Sequence, residues 1–250
     1  MEDFFSRSEF LLGSEAMEKL RTRRVLLFGV GGVGSWCAEA LIRTGLIHLT
    51  IVDGDTVQPS NINRQLPATR ETLNQPKVEA LKARLLTINP EAEIEAVHAM
   101  YKPTLPLKGE VETSESSDFR FEEYDFVIDA IDDVPAKADL IINATRARGV
   151  KVFSSMGAAL RFDPTAVTTG ELMSIKGDAL AKAVRARMKK IGLHPYRKVK
   201  CVYSTEQATP PCPLSKGEKI KGSLMQVTAV FGCTLASLVI RELKEPLQLP

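Results

Sequence analysis

Gly29, Gly31, Gly32 and Gly34 crowd one short turn, and Asp53, Asp55, Ser60, Asn61, Asn63, Arg64 and Gln65 follow in a single polar run. Glycines let a backbone turn tightly and approach a phosphate closely, leaving N–H groups at a helix amino end to meet negative charge. A glycine turn that serves packing alone is the plain alternative. Asp53 ends an apolar run, where its carboxylate would accept a ribose hydroxyl. So far any adenine-nucleotide unit would fit. An arginine and several amides beyond Asp53 are of no use to a dinucleotide site, but they suit a grip on the three phosphates of ATP.

Two further stretches carry charge suited to the same ligand. Lys77 belongs to the first turn of a helix, where the dipole and unpaired N–H groups oppose a cation by about 0.3–1 kcal/mol unless an anion binds there too. It therefore reads as a phosphate ligand in preference to a stray surface lysine. Asp129, Asp132 and Asp133 follow another apolar run. They form either a solvated loop or a nucleotide and metal site, and in an open parallel sheet ligands bind at that end of the strands. Asp132 is the candidate for Mg²⁺ on ATP, since Mg²⁺ takes one or two carboxylates together with phosphate oxygens and water.

The elements that must position these groups follow from periodicity. A strand over 25–28, the glycine turn, a helix with Val33, Cys37, Ala40 and Leu41 on one face, and a strand over 48–52 make a βαβ unit. Val78, Leu81, Leu85 and Ile88 mark a helix ended by Pro90, with Asn74 as its cap and Pro76 in its first turn. Strands over 93–97, 124–128 and 151–155 and a helix over 135–148 continue the pattern, Gly157 closing the last strand; Lys137 faces the same cleft or is a surface lysine. Residues 4–24 read as one helix laid on the domain, with Arg7 near its start, and 100–123 as an extended surface insertion. Residues 224–240 are apolar all round, but 17 residues carrying Gln226 and three hydroxyls fall short of the roughly 20 a bilayer span needs. A buried helix packed on the sheet or a dimer face is expected, and no membrane. The expectation is an α/β protein with a Rossmann-like, doubly wound, mainly parallel sheet and an additional C-terminal strand and helix region. One domain covers 1–250, its nucleotide-binding part about 9–157 and its substrate-facing part about 158–243.

Length and a 44% hydrophobic content allow a full core. The net charge of +2 says little. Local charge says more: Lys176, Lys182, Arg185, Arg187, Lys189, Lys190, Arg197, Lys198 and Lys200 face only Asp178 in the same stretch. This is a solvated basic helix or a track for an RNA backbone; the second is preferred, with Lys189, Lys190, Arg197, Lys198 and Lys200 as phosphate contacts and Lys216, Lys219 and Lys221 in a mobile loop beside them. Cys37, Cys201, Cys212 and Cys233 form no C-x-x-C pair, so neither zinc nor a disulfide framework is expected. Cys37 and Cys233 read as core residues, while Cys201 beside Lys200, or Cys212, stays open for a covalent role. An acidic start without an apolar run indicates no signal peptide and a cytoplasmic protein.

GVGGVGSW at 29–36, VDGDTVQPSNINRQ at 52–65, QPKVEALKARLLTINP at 75–90 and VIDAIDD at 127–133 together resemble the ubiquitin-activating-enzyme-like superfamily of ATP-dependent carboxylate adenylating enzymes. The resemblance implies Asp53 on the ribose, Arg64 and Lys77 on the phosphates, Asn61 and Gln65 nearby, and Asp132 on magnesium. It also implies a homodimer in which Arg7 reaches the partner subunit's site. Sulfur-carrier adenylases of the superfamily usually carry two C-x-x-C pairs, absent here. Instead CVYSTE at 201–206 and MQVTAVFG at 225–232 resemble the tRNA threonylcarbamoyladenosine dehydratase branch. That branch activates the threonyl carboxylate of the modified adenosine with ATP, and ring closure then expels water overall. Adenylation of the C-terminal glycine of a ubiquitin-like sulfur carrier is the rival reading. The residues leave open a bound monovalent cation and a sulfur-transfer or redox partner protein.

Overall fold

Val25, Leu26, Leu27 and Phe28 are wholly buried in succession, as a strand covered on both faces of a parallel sheet requires. The computed structural model describes residues 4–109, 119–210 and 222–243. In chain order these form α1 (Ser6–Leu12), α2 (Ser14–Thr22), β1 (Arg24–Phe28), α3 (Gly34–Thr44), β2 (His48–Val52), α4 (Lys77–Ile88), β3 (Glu93–Val97) and β4 (Phe126–Asp129). Then come α5 (Val134–Arg146), β5 (Lys151–Ser155), β6 (Val167–Glu171), α6 (Ala179–Ile191), β7 (Lys200–Ser204) and α7 (Met225–Leu243).

The strands make one sheet in the order β3-β2-β1-β4-β5-β7-β6, parallel throughout except for β6. This is the expected doubly wound α/β architecture, with its order reversing between β1 and β4. Two hydrophobic layers cover the faces: α3, α4 and α7 supply one, α5 and α6 the other.

Several expectations need correction. Residues 4–24 are two helices, because Gly13 takes φ +86° and breaks the register. α2 buries Ala16, Met17 and Leu20, whereas α1 buries nothing and leaves Phe4, Phe10 and Leu11 exposed. Asn74 does not cap α4; it takes φ +65°, and Pro76 occupies the cap position. Nor are the two ends of the 100–123 segment plain surface. Tyr101 and Phe121 are buried against Phe28, and the Asp139 carboxylate accepts from Tyr101 Oη (2.7 Å), Thr104 N (2.8 Å), Leu105 N (2.6 Å) and Asn143 Nδ2 (2.8 Å). A buried carboxylate without a cation is tolerable when several donors saturate its oxygens. The middle of that segment, 110–118, lies outside the described residues.

α7 passes the length and hydropathy test for a membrane span, yet half of it is buried inside the fold. It packs on α3, and Gly232 makes the crossing close: a Cβ there would sit 2.4 Å from the Val33 carbonyl oxygen. Cys233, expected in the core, points outward.

Candidate active site

At the carboxyl ends of the central strands, where the order reverses, lies a cleft of about 550 Å³. The glycine turn forms one wall. Gly29 takes φ +84°, and a Cβ would lie 2.7 Å from the Ala130 carbonyl oxygen, so only glycine allows β1 and β4 to end side by side. At Gly34 a Cβ would come within 1.8 Å of the Gly29 carbonyl oxygen. Gly34 therefore serves the tight packing of α3 and does not line the cleft, whereas Gly29, Gly31 and Gly32 do.

The polar run after β2 folds back over this turn. Asp53 fixes it, with Oδ2 accepting from Val30 N (2.8 Å) and Oδ1 from Asp55 N (2.9 Å). Lys77, at the first residue of α4, is 6% exposed and donates to Asp55 Oδ2 at 2.7 Å. Asp55 itself is largely open to solvent. Arg64 lines the cleft, its Nη1 donating to Ser60 O (2.9 Å) and Asn63 Oδ1 (2.8 Å), while its carbonyl is held by Trp36 Nε1 (3.1 Å). Asn61 and Gln65 are buried cleft residues; Asn61 Oδ1 accepts from Gln58 N, and Gln65 Oε1 has no hydrogen-bond partner. Asn63 stands outside the lining and ties the run to Ser223 O at 2.9 Å.

From β4 the structure separates the three acids. Asp132 is exposed and lines the cleft; Asp133 also lines it and caps α5 through Ala136 N. Asp129 is turned inward. It is wholly buried, paired with Lys137 Nζ at 2.7 Å and hydrogen-bonded by Ser154 Oγ at 2.5 Å and Ile131 N at 3.1 Å. The expectation that Asp129 meets the ligand is thus corrected: its oxygens are engaged in the interior. Lys137 is neither a cleft nor a surface lysine but fully buried, donating also to Ile131 O at 2.7 Å. Asp129 and Lys137 together clamp both backbone groups of Ile131, the residue before Asp132.

Among the described residues no group of three His, Cys, Asp or Glu could hold a metal ion. One exposed carboxylate, Asp132, suits a cation that arrives on phosphate oxygens and keeps its waters. Burial pushes the thiols of Cys37 and Cys201 up, away from the thiolate form a nucleophile needs. Cys212 lies outside the described residues.

Other predicted residues are elsewhere. Arg7 is exposed on α1, away from the cleft lining. Lys189, Lys190, Lys198 and Lys200 are exposed; α6 begins at the cleft and runs away from it, so Lys189 and Lys190 lie about 15 Å along the helix at 1.5 Å per residue, whereas Lys200 opens β7 opposite Phe153, two residues before the cleft-lining Ser155. The guanidinium of Arg197 is engaged by the carbonyls of Ala147 and Val150. Lys216, Lys219 and Lys221 lie outside the described residues.

The cleft also has a second half that sequence reasoning missed. Beyond the glycine turn it is lined by Ser155, Met156 and Gly157, by the following loop to Arg161, and by Asp178 at the start of α6. Position alone was the available signal, since a loop leaving a parallel strand opens on the ligand side of the sheet.

The ThiF family model matches residues 5–248. The chain is 38% identical over 204 residues to the tRNA threonylcarbamoyladenosine dehydratase of Bacillus subtilis, covering 81% of this chain and 74% of that one. It is 34% identical over 242 residues to that of Haemophilus influenzae, covering 92% and 88%. The crystal structure of Escherichia coli tRNA N6-threonylcarbamoyladenosine dehydratase in complex with ATP superposes with a TM-score of 0.78 at 30% identity, covering 96% and 93%. Its complex with AMP gives 0.79 at 31%. A glycine elbow, a buried lysine and an exposed aspartate converging on one cleft, in a chain matched almost end to end, place it in the ThiF family.

Proposed function

We propose that this chain is an ATP-dependent tRNA threonylcarbamoyladenosine dehydratase. The observation that carries the reading is the convergence of Gly31, Gly32, Arg64, Lys77 and Asp132 on one cleft, beside a second chamber able to take the acyl substrate. The threonyl carboxylate attacks the α-phosphorus of ATP, the bond to the β-phosphate breaks, and pyrophosphate leaves. A nucleophile of the same threonylcarbamoyl group then attacks the acyl carbon and AMP departs, so the nucleoside loses one water overall. No enzyme nucleophile is needed, because reaction within one molecule supplies effective concentrations of about 10⁵–10⁸ M.

The roles follow from placement. Lys77 and Arg64 neutralise the phosphates, where positioned charge is the main source of rate. Asp53 takes the ribose while it holds the glycine turn; Asn61 and Gln65, the latter with an unused buried acceptor, border the nucleotide. Asp132 receives Mg²⁺, which when bound offsets phosphate charge and polarises the α-phosphorus. The tRNA backbone meets the exposed Lys189, Lys190, Lys198 and Lys200. The exposed Phe10 and Leu11 beside Arg7 support a homodimer in which α1 is covered by a second copy and Arg7 is carried toward the partner's cleft. A cytoplasmic location accords with tRNA as substrate.

The test is incubation with ATP, Mg²⁺ and tRNA bearing threonylcarbamoyladenosine. Mass spectrometry is expected to show a nucleoside lighter by one water, with one AMP released for each. An unchanged nucleoside, with AMP joined instead to the terminal glycine of a sulfur-carrier protein, would assign the chain to the rival activity.

A further inference from the structure

Arg161 sits in the second half of the cleft, and its surroundings do not satisfy it. It is 4% exposed and yet lines the cleft. Nη1 donates to the carbonyl of Glu206, Nη2 stands 3.6 Å from Asp178 Oδ2, and buried Nε has no hydrogen-bond partner. Asp178 is itself engaged: Oδ1 accepts from Ala181 N (2.8 Å), capping α6, and Oδ2 from Gly157 N (3.3 Å). A guanidinium has five N–H donors, and burying one with so few acceptors is costly unless another acceptor arrives. Just before it, Leu160 takes φ +62°. A bulky residue rarely adopts that conformation, and such outliers cluster at ligand clamps.

The chemistry of the missing acceptor can be narrowed. The edge formed by Nε and Nη2 carries only the long contact to Asp178, and that edge matches the two oxygens of a carboxylate. Asp178 remains close enough to disfavour a multiply charged phosphate, leaving a planar monoanion as the fitting guest. Resting on the dehydratase reading, we infer that Arg161 binds the free carboxylate of the threonylcarbamoyl arm and delivers it to the nucleotide side of the cleft. That carboxylate loses its charge once it becomes the acyl adenylate. While the bond to phosphorus is forming the carboxylate still carries most of that charge, so Arg161 holds the bound acid and the transition state about equally, and removing it should raise KM with little change in kcat.

The test uses the full chain with Arg161→Gln and Arg161→Lys, steady-state cyclisation of modified tRNA, and ATP affinity by calorimetry. Arg161→Gln is expected to raise the KM for modified tRNA about 10- to 100-fold, as loss of a hydrogen bond to a charged group does. Its kcat should stay within about threefold and its ATP affinity within about twofold of the parent. Affinity for tRNA lacking the threonylcarbamoyl group should be unchanged. Arg161→Lys, which keeps the buried charge, should show a smaller KM rise and carries the same test if the glutamine variant does not fold. An unchanged KM overturns the inference. So does a parallel loss of ATP affinity, which would make Arg161 structural, or weaker binding of unmodified tRNA, which would give it to the RNA backbone. If the parent itself does not dehydrate the modified tRNA, the dehydratase reading falls and the inference with it, an outcome distinct from a parent that works and a variant that works equally well.

Discussion

Two lysines near helix amino ends are buried in this molecule, each paired with an aspartate at 2.7 Å, and they do different things. Lys77 pairs with Asp55, whose side chain is 58% exposed. Lys137 pairs with Asp129, which is 0% exposed, and donates to the Ile131 carbonyl as well. What separates them is the partner's access to water. Asp55 would be rehydrated if an anion displaced it from Lys77, so that pair is free to exchange. Asp129 has no such refuge, so the other pair is a fixed strut beneath the turn that presents Asp132.

Substitution should split the two cleanly. Lys137→Met leaves a carboxylate buried without its cation and should cost about 3–5 kcal/mol of stability, read by urea unfolding. A loss below about 1 kcal/mol would show that Asp129 reaches water after all and would dissolve the contrast. Lys77→Met should change stability by less than about 1 kcal/mol, because exposed Asp55 simply hydrates, but should slow AMP formation about 10²–10³-fold, the scale for losing one preorganised charge-stabilising group. Unfolding of this variant on the scale of Lys137→Met would put both lysines in the same class.

Asp139 extends the comparison to a buried acid that has donors in place of a cation. Tyr101→Phe removes one of them and should cost about 1.5–3 kcal/mol by thermal unfolding, since the bond is to a charged acceptor. No measurable change would mean that the remaining donors suffice and that the root of the 101–109 segment is not anchored there.

Glu39 is the converse case, a nearly buried acid with two half-exposed cations, Arg43 and Arg84. Burial pushes its carboxyl up, but the bonds from Arg84 and Arg43 outweigh burial and hold it below the ordinary value of 4.5. A carboxyl lowered in the folded state stabilises above its unfolded pKa, and this contribution fades as pH falls through the folded one. The gap in melting temperature between parent and Glu39→Gln should therefore be constant above about pH 5 and shrink as pH drops below 4.5. A gap that widens in acid would reverse the sign of the coupling.

The contrast also explains how far the sequence could be read. β2 and β5 lie where continuous apolar runs put them, because burial on two faces leaves a plain signature, and the edge strand β3 lies where Glu93, Ile94 and Glu95 alternate. Lys77 was legible for a local reason, its place in a first helical turn. Asp129 and Asp132 were not distinguishable, since three residues of identical chemistry separate inward from outward only through the turn that follows β4. Lys137 was opaque because its partner lies across the sheet end, and Arg161 because a loop arginine looks like any surface charge until Asp178 and Glu206 close around it. The acid at 139 likewise gave no hint that it would tether Thr104 and Leu105.

The close crossing at Gly232 bears on how the protein is made. α3, which carries the glycine elbow at its head, finds its cover in α7, which is made nearly two hundred residues later. The glycine turn is thus buttressed by a helix made much later, and a nascent polypeptide still short of residue 225 has a bare apolar flank behind that turn. Premature termination in that helix would remove activity by exposing α3, without touching any residue that meets substrate.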